Sequence, residues 1–155
     1  MSTALLVTMG LVAARMGGVV MIMPAIGARG VPHMTRVLAV IAMTVVIGPN
    51  VPQATVPATI AGLLAGMAIE VVVGVLIGGV VSFVFGALSL ANEMASNQIG
   101  HGAAQLFDPM LKVSHGPFAA MSTLLAAAVF VGTNLHLVLL MNAADSLHAV
   151  PPGSV

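Results

Sequence analysis

Cysteine, tryptophan and tyrosine are missing from this chain, and charge nearly so: its 155 residues include 4 Lys or Arg and 4 Asp or Glu. Without cysteine there is no disulfide framework and no thiolate chemistry, and the redox compartment is left undetermined. A net charge of +0 removes the electrostatic footprint that nucleic acid requires. An ordinary soluble domain is about a quarter charged residues. This chain has 5%, with 59% hydrophobic residues and a mean hydropathy of +1.15, so it reads as an integral membrane protein in a lipid bilayer. With 5 Phe as its whole aromatic content it has no belt of Trp and Tyr to set helix depth, so neighbouring protein must do the anchoring. The N-terminal stretch has no positive n-region and Arg15 interrupts its apolar run, which reads as a retained helix and not a cleaved signal peptide.

What is present is long apolar blocks with sparse punctuation. A first span over residues 4–26 ends at Pro24 and Gly27, and a loop with Arg29, Pro32 and His33 leads into a second over residues 35–47. The uncharged stretch from Pro49 to Pro57 turns the chain. A third element, over residues 58–102, is too long for one perpendicular crossing at 1.5 Å per residue. A fourth span over residues 118–149 carries Asn134, His136, Asn142, Asp145 and Ser146, and Pro151-Pro152-Gly153 follows it. The reading is an all-α membrane fold of about four long helices in one domain, residues 1–155, with hairpins over residues 4–47 and 58–149. Arg29, Arg36 and Lys112 place both charged loops in the cytoplasm and both termini outside.

Three features of the spans carry chemistry. Gly62, Gly66, Glu70, Gly74, Gly78, Ser82 and Gly86 recur every fourth residue, a small-residue seam that lets helix backbones approach closely. The seam drifts about 40° per step and needs several partners, or one that crosses obliquely, to cover it. Arg15 and Glu70 fall at matched depth and pair, either as a structural ion pair that sets helix register or as part of an ion or proton path. Asn92, Glu93, Ser96, Asn97 and Gln98 put a polar face on the end of an apolar helix, lining a conduit or bonding neighbouring subunits in a dry interface.

Beyond that face, Gly100, Gly102, Pro109, Gly116 and Pro117 break the helical pattern around Leu106, Phe107, Asp108, Pro109, Met110 and Leu111. Residues 100–116 read as the movable part of a gate, with Leu106, Phe107, Met110 and Leu111 as the apolar bulk that closes it and an ordinary cytoplasmic loop as the alternative. The histidines form no HxxxH or HExxH pattern, which argues against a metal site. The methionines are scattered and read as apolar packing, with Met21, Met23 and Met94 as candidates for a soft gasket. No nucleophile with its base, no phosphate-binding loop and no catalytic carboxylate pair is present, so neither catalysis nor a cofactor is expected. A small proton- or ion-coupled transporter using Arg15, Glu70 and Glu93 is the rival functional reading.

Several pieces in order carry a resemblance: AARMGGVVMIMPAIGARGVPHMTRVLAV, the Glu70-x3-Gly74-x3-Gly78 segment, the run from Gln98 to Phe107-Asp108-Pro109, and Asn134-Leu135-His136 through Asp145-Ser146-Leu147 to Pro151-x-Gly153. Together they resemble the FliR family, the flagellar biosynthetic proteins of the type III export apparatus, whose virulence counterpart is the SctT family. The resemblance implies the FliP-like half of a FliR-type fold and a helical export-gate subunit. It also implies assembly with FliP-like and FliQ-like subunits in the bacterial inner membrane, at the flagellar basal body, around a passage for unfolded export substrates. It places the counterpart of residues 98–117 near the pore constriction, with its loop as a plug. The sequence departs from the family at Leu135, where Gly commonly precedes the His. It also lacks the family's C-terminal FliQ-like hairpin, which suggests a short, split or truncated form.

Overall fold

The computed structural model describes residues 3–24, 31–55, 59–98 and 117–154, with the side chains of residues 117–119 excepted. Among the described residues the chain is helical, with no strand: α1 (Thr3–Ile22), α2 (His33–Ile47), a single 3-10 turn (Gly48–Asn50), α3 (Ile60–Gln98), α4 (Pro117–Gly132) and α5 (Leu135–Ala149). Helices α1 and α3 are each long and apolar enough to cross a membrane, as is the stretch His33–Asn50.

α1 is the central element. Leu11, Val12, Met16, Val19, Val20 and the adjoining Met23 are all buried, and Val12, Met16, Val19 and Met23 form a core cluster with Val51, Phe130, Leu139, Ala143 and Leu147. Thr8 holds the irregular segment after α2: its hydroxyl donates to the Ala4 carbonyl at 2.8 Å and accepts the Ala54 N–H at 2.9 Å. An extended strand of backbone is thereby tied down in an apolar setting where an unpaired amide would be costly. Thr59 caps α3, its side-chain oxygen accepting the Gly62 N–H at 3.2 Å.

The small-residue seam of α3 packs against α1. A Cβ on Gly74 would collide with the carbonyl of Arg15, and one on Gly78 would lie 2.9 Å from the carbonyl oxygen of Val19. The complementary notch on α1 is Gly18, where a Cβ would stand 2.6 Å from the Val71 carbonyl oxygen. Ser82 continues the contact by donating to the Ile22 carbonyl. Glycine on both sides brings the two backbones into contact. The seam runs out at both ends: Gly62 and Gly66 border a cavity of about 250 Å³, and a Cβ on Gly86 would meet nothing.

The fourth span is not a single helix. α4 and α5 are bent by 61° at Thr133-Asn134. Asn134 takes the left-handed conformation (φ 58°), which Asn tolerates better than most residues. Its carbonyl accepts the Leu137 N–H at 2.9 Å and so starts α5. The apolar content of residues 118–149 had suggested one continuous span. A polar residue able to end one helix in αL geometry and open the next divides it. Phe130, just before the break, packs edge-on against Phe85 of α3 with ring centroids 5.4 Å apart.

The α1–α3 contact yields a prediction. Gly74→Ala and Gly74→Leu should both force the helices apart, with a destabilisation on the order of 1–3 kcal/mol or more for overpacking. Gly86→Ala, which meets open space, should be neutral. Thermal unfolding of the purified chain in detergent measures both, and an unshifted transition for Gly74→Leu would show that α1 and α3 do not depend on this approach.

Candidate functional site

Arg15 stands near the middle of α1 and its side chain is 1% exposed; Glu70, on α3, is 3% exposed. The structure brings them together: Arg15 Nε donates to Glu70 Oε2 at 2.5 Å. A lone guanidinium–carboxylate contact would leave most of the fork's donors unsatisfied, and the remaining nitrogens find partners on a third element. Nη1 donates to the Ser146 carbonyl at 3.0 Å and to Ser146 Oγ at 3.3 Å, and Nη2 donates to the Val150 carbonyl at 3.1 Å. These carbonyls belong to the C-terminal end of α5, which carries the negative end of the helix dipole; the Ser146 carbonyl also accepts the Val150 N–H at 2.9 Å, so the guanidinium is its second donor. Arg15 is therefore held between a carboxylate and a helix C-terminus.

The chain after α5 closes the cluster from the other side. Pro151, Pro152 and Gly153 make a turn in which the Ser154 N–H meets the Pro151 carbonyl at 3.2 Å. Gly153, at φ 73°, points its N–H at Glu70 Oε1, 3.1 Å away. Both carboxylate oxygens and all three guanidinium nitrogens are thus engaged. The matched depth of Arg15 and Glu70 was legible from their distances to helix ends. The contributions of Ser146, Val150 and Gly153 were not foreseen, although a proline pair and a glycine directly after an apolar helix were the available signal for a turn folding back.

The polar end of α3 is arranged differently. Glu93, Asn97 and Gln98 are exposed, Ser96 is 3% exposed and Asn92 is half-buried. Asn92 lines a largely apolar groove of about 460 Å³ between α3 and α4, with Val84, Phe85, Leu88, Leu125 and Phe130 among its walls. Its Nδ2 is buried there without a hydrogen-bond partner. Gly62 and Gly66 border the smaller cavity, while Gly74 and Gly78 lie in the α1 contact. Among the methionines, Met23 is buried, whereas Met21 and Met94 are 52% and 61% exposed. Leu106, Phe107, Asp108, Pro109, Met110 and Leu111 lie outside the described residues. No three His, Asp or Glu side chains converge among the described residues.

The network predicts how charge changes will behave. Arg15→Met leaves the Glu70 carboxylate buried and unpaired, and Glu70→Met does the same to the guanidinium, so each should cost about 3 to 5 kcal/mol. The double variant should recover part of that loss. Exchanging the charges, Arg15→Glu with Glu70→Arg, should recover less, because the carboxylate at residue 15 would face the Ser146 and Val150 carbonyls. Thermal unfolding of the four variants in detergent gives the order. A charge exchange more stable than the apolar pair would show that α5 does not depend on the guanidinium.

The profile of the family described as Bacterial export proteins, family 1, matches residues 6–155. Flagellar biosynthetic protein FliR of Escherichia coli (strain K12) is 26% identical over 130 residues, 84% of this chain and 50% of that protein. The chain spans about half the length of this curated relative. The match extends from α1 to the turn that closes on Glu70, so every element contributing to the charge cluster lies inside it. The FliR resemblance is borne out, and this membrane protein belongs to the bacterial export proteins, family 1.

Proposed function

We propose that the chain is a subunit of a flagellar type III export gate, a channel for unfolded export substrates assembled with FliP-like and FliQ-like subunits in the bacterial inner membrane, at the flagellar basal body. The observation that carries this reading is the family match over residues 6–155 together with the named relative, FliR. The fold's exposed apolar surface supports it. Met34, Leu38, Val46, Leu64, Leu76, Val80 and Phe83 are all more than half exposed, on helices that leave these faces for lipid or for other subunits. In this reading residues 1–155 form a single gate domain and perform no catalytic step.

The ion-coupled transporter is less well supported. Its two mid-span charges are committed to each other and to backbone groups, which favours the structural role for Arg15 and Glu70 over a place on an ion path. Asn92, Glu93, Ser96 and Asn97 are assigned to the approach to the passage, with Gln98 leading into its gate. Leu106, Phe107, Met110 and Leu111 supply the apolar bulk that closes it, and Asp108 and Lys112 keep that segment from joining the lipid-facing surface.

Two measurements test the assignment. Expression of the chain together with FliP-like and FliQ-like subunits should yield a stable complex; failure to co-purify with either would reject the gate reading. Within that complex, deletion of residues 106–112 should raise membrane conductance to small ions, as removal of a plug does. An assembled deletion complex as tight as the wild type would return these residues to the status of an ordinary loop.

A further inference from the structure

α5 has two faces. Leu139, Ala143 and Leu147 are buried against the core, and Ser146 turns into the Arg15 cluster. On the opposite side, Val138, Met141, Asn142 and Asp145 are exposed at spacings of three, four and seven residues, which sets them on one stripe about 100° wide. Val138 is 50% exposed and Met141 65%. No single solvent suits this stripe. Lipid would leave the Asp145 carboxylate and the Asn142 amide unsatisfied, and open water would leave Val138 and Met141 bare.

The position of the stripe sharpens the conflict. The last turn of α5 is bonded to Arg15 of α1 through Ser146, so Asp145 is the residue next to the cluster in sequence. Of the two cations among the described residues, Arg15 is already committed, and Arg36 sits on α2 with an interaction of its own.

We propose that the outer stripe of α5 is an interface for a helix of a neighbouring subunit that carries a Lys or Arg opposite Asp145, flanked by apolar side chains that pack on Val138 and Met141. An ionised carboxylate taken from water needs a cation or several donors to offset its desolvation. A cation from a partner helix fits the one charged group on this stripe. The inference rests on the chain's being a subunit of a larger assembly, as proposed above.

The test uses the full chain in its complex with FliP-like and FliQ-like subunits. Asp145→Asn should lower the recovered complex a fewfold and Asp145→Lys by about tenfold or more, since a like charge opposite the partner cation is repelled. A photoreactive amino acid in place of Met141 should cross-link to a partner peptide with Lys or Arg within one helical turn of the adduct. Changing that residue to Glu should restore assembly of Asp145→Lys. Undiminished assembly of Asp145→Asn and Asp145→Lys would overturn the proposal, as would adducts confined to lipid or to this chain itself, or failure of the reversed charge to rescue. Loss of the isolated chain's own thermal transition in the Asp145 variants would also overturn it, because Asp145 would then serve the fold. Failure of the wild-type chain to assemble would reject the gate reading itself, an outcome distinct from normal assembly of the variants.

Discussion

A guanidinium buried among apolar helices must be neutralised where it stands, and the arrangement of this protein follows from how Arg15 is neutralised. Glu70 supplies the opposite charge, but only because the α1 and α3 backbones are in contact one turn away. Gly74 lies against the Arg15 carbonyl, and Gly18 lies against Val71. The close approach and the ion pair are one contact seen at two levels. If the helices stood apart at the usual 8–10 Å, with side chains between them, the carboxylate would not sit directly on Nε. The other two guanidinium nitrogens then determine where α5 ends, and the carboxylate's second oxygen determines where the Pro-Pro-Gly turn goes. Three stretches distant in sequence, α1, α3 and the end of α5 with the turn after it, meet at this one ion pair.

The same geometry leaves much of the chain without partners. α3, with 39 residues, is about 58 Å long, while α1, with 20, is about 30 Å. α1 can cover only the middle of its neighbour, and it does so between Gly66 and Ser82. Toward the N-terminus of α3, Gly62 faces a cavity. Toward the C-terminus, Phe83, Val84, Leu90 and Met94 stand exposed on a helix that ends in Glu93, Asn97 and Gln98. A helix about twice the thickness of a hydrocarbon core, apolar for most of its length and polar at one end, cannot be accommodated by lipid alone. The length mismatch inside the chain is thus a physical reason to expect neighbouring subunits.

Much of this was legible in the sequence because membrane helices announce themselves by composition, and because a buried charge has few places to go. The helices α1, α2 and α3 lie close to the expected spans, and Glu70 was the one acidic residue at the depth of Arg15. The seam was legible as a repeat, but its partner was less plain, because the Gly10-Ala14-Gly18 spacing on α1 is short and its glycines differ: Gly18 meets the α3 backbone and Gly10 does not. The break at Asn134 was hidden by the apolar residues on both sides of it: hydropathy reports burial and is blind to direction. The role of Ser146 and Val150 was invisible for a related reason, since Arg15 reads their backbone carbonyls, and a carbonyl leaves no mark in a sequence.

The bend at Asn134 has a consequence for the charge cluster. A continuous helix over residues 117–149 would carry its free carbonyls to the far end of the molecule, where water or headgroups could satisfy them. Broken by 61°, α5 instead brings the Ser146 and Val150 carbonyls, at the negative end of its dipole, to Arg15, which donates to both as well as to Glu70. The cluster is better described as a cation shared between a carboxylate and a helix end than as a salt bridge with accessory bonds. A hydrophobic pair of equal volume could match the ion pair in stability. It could not hold the end of a half-helix in an apolar interior, and that requirement is what makes a charged residue the workable choice at position 15.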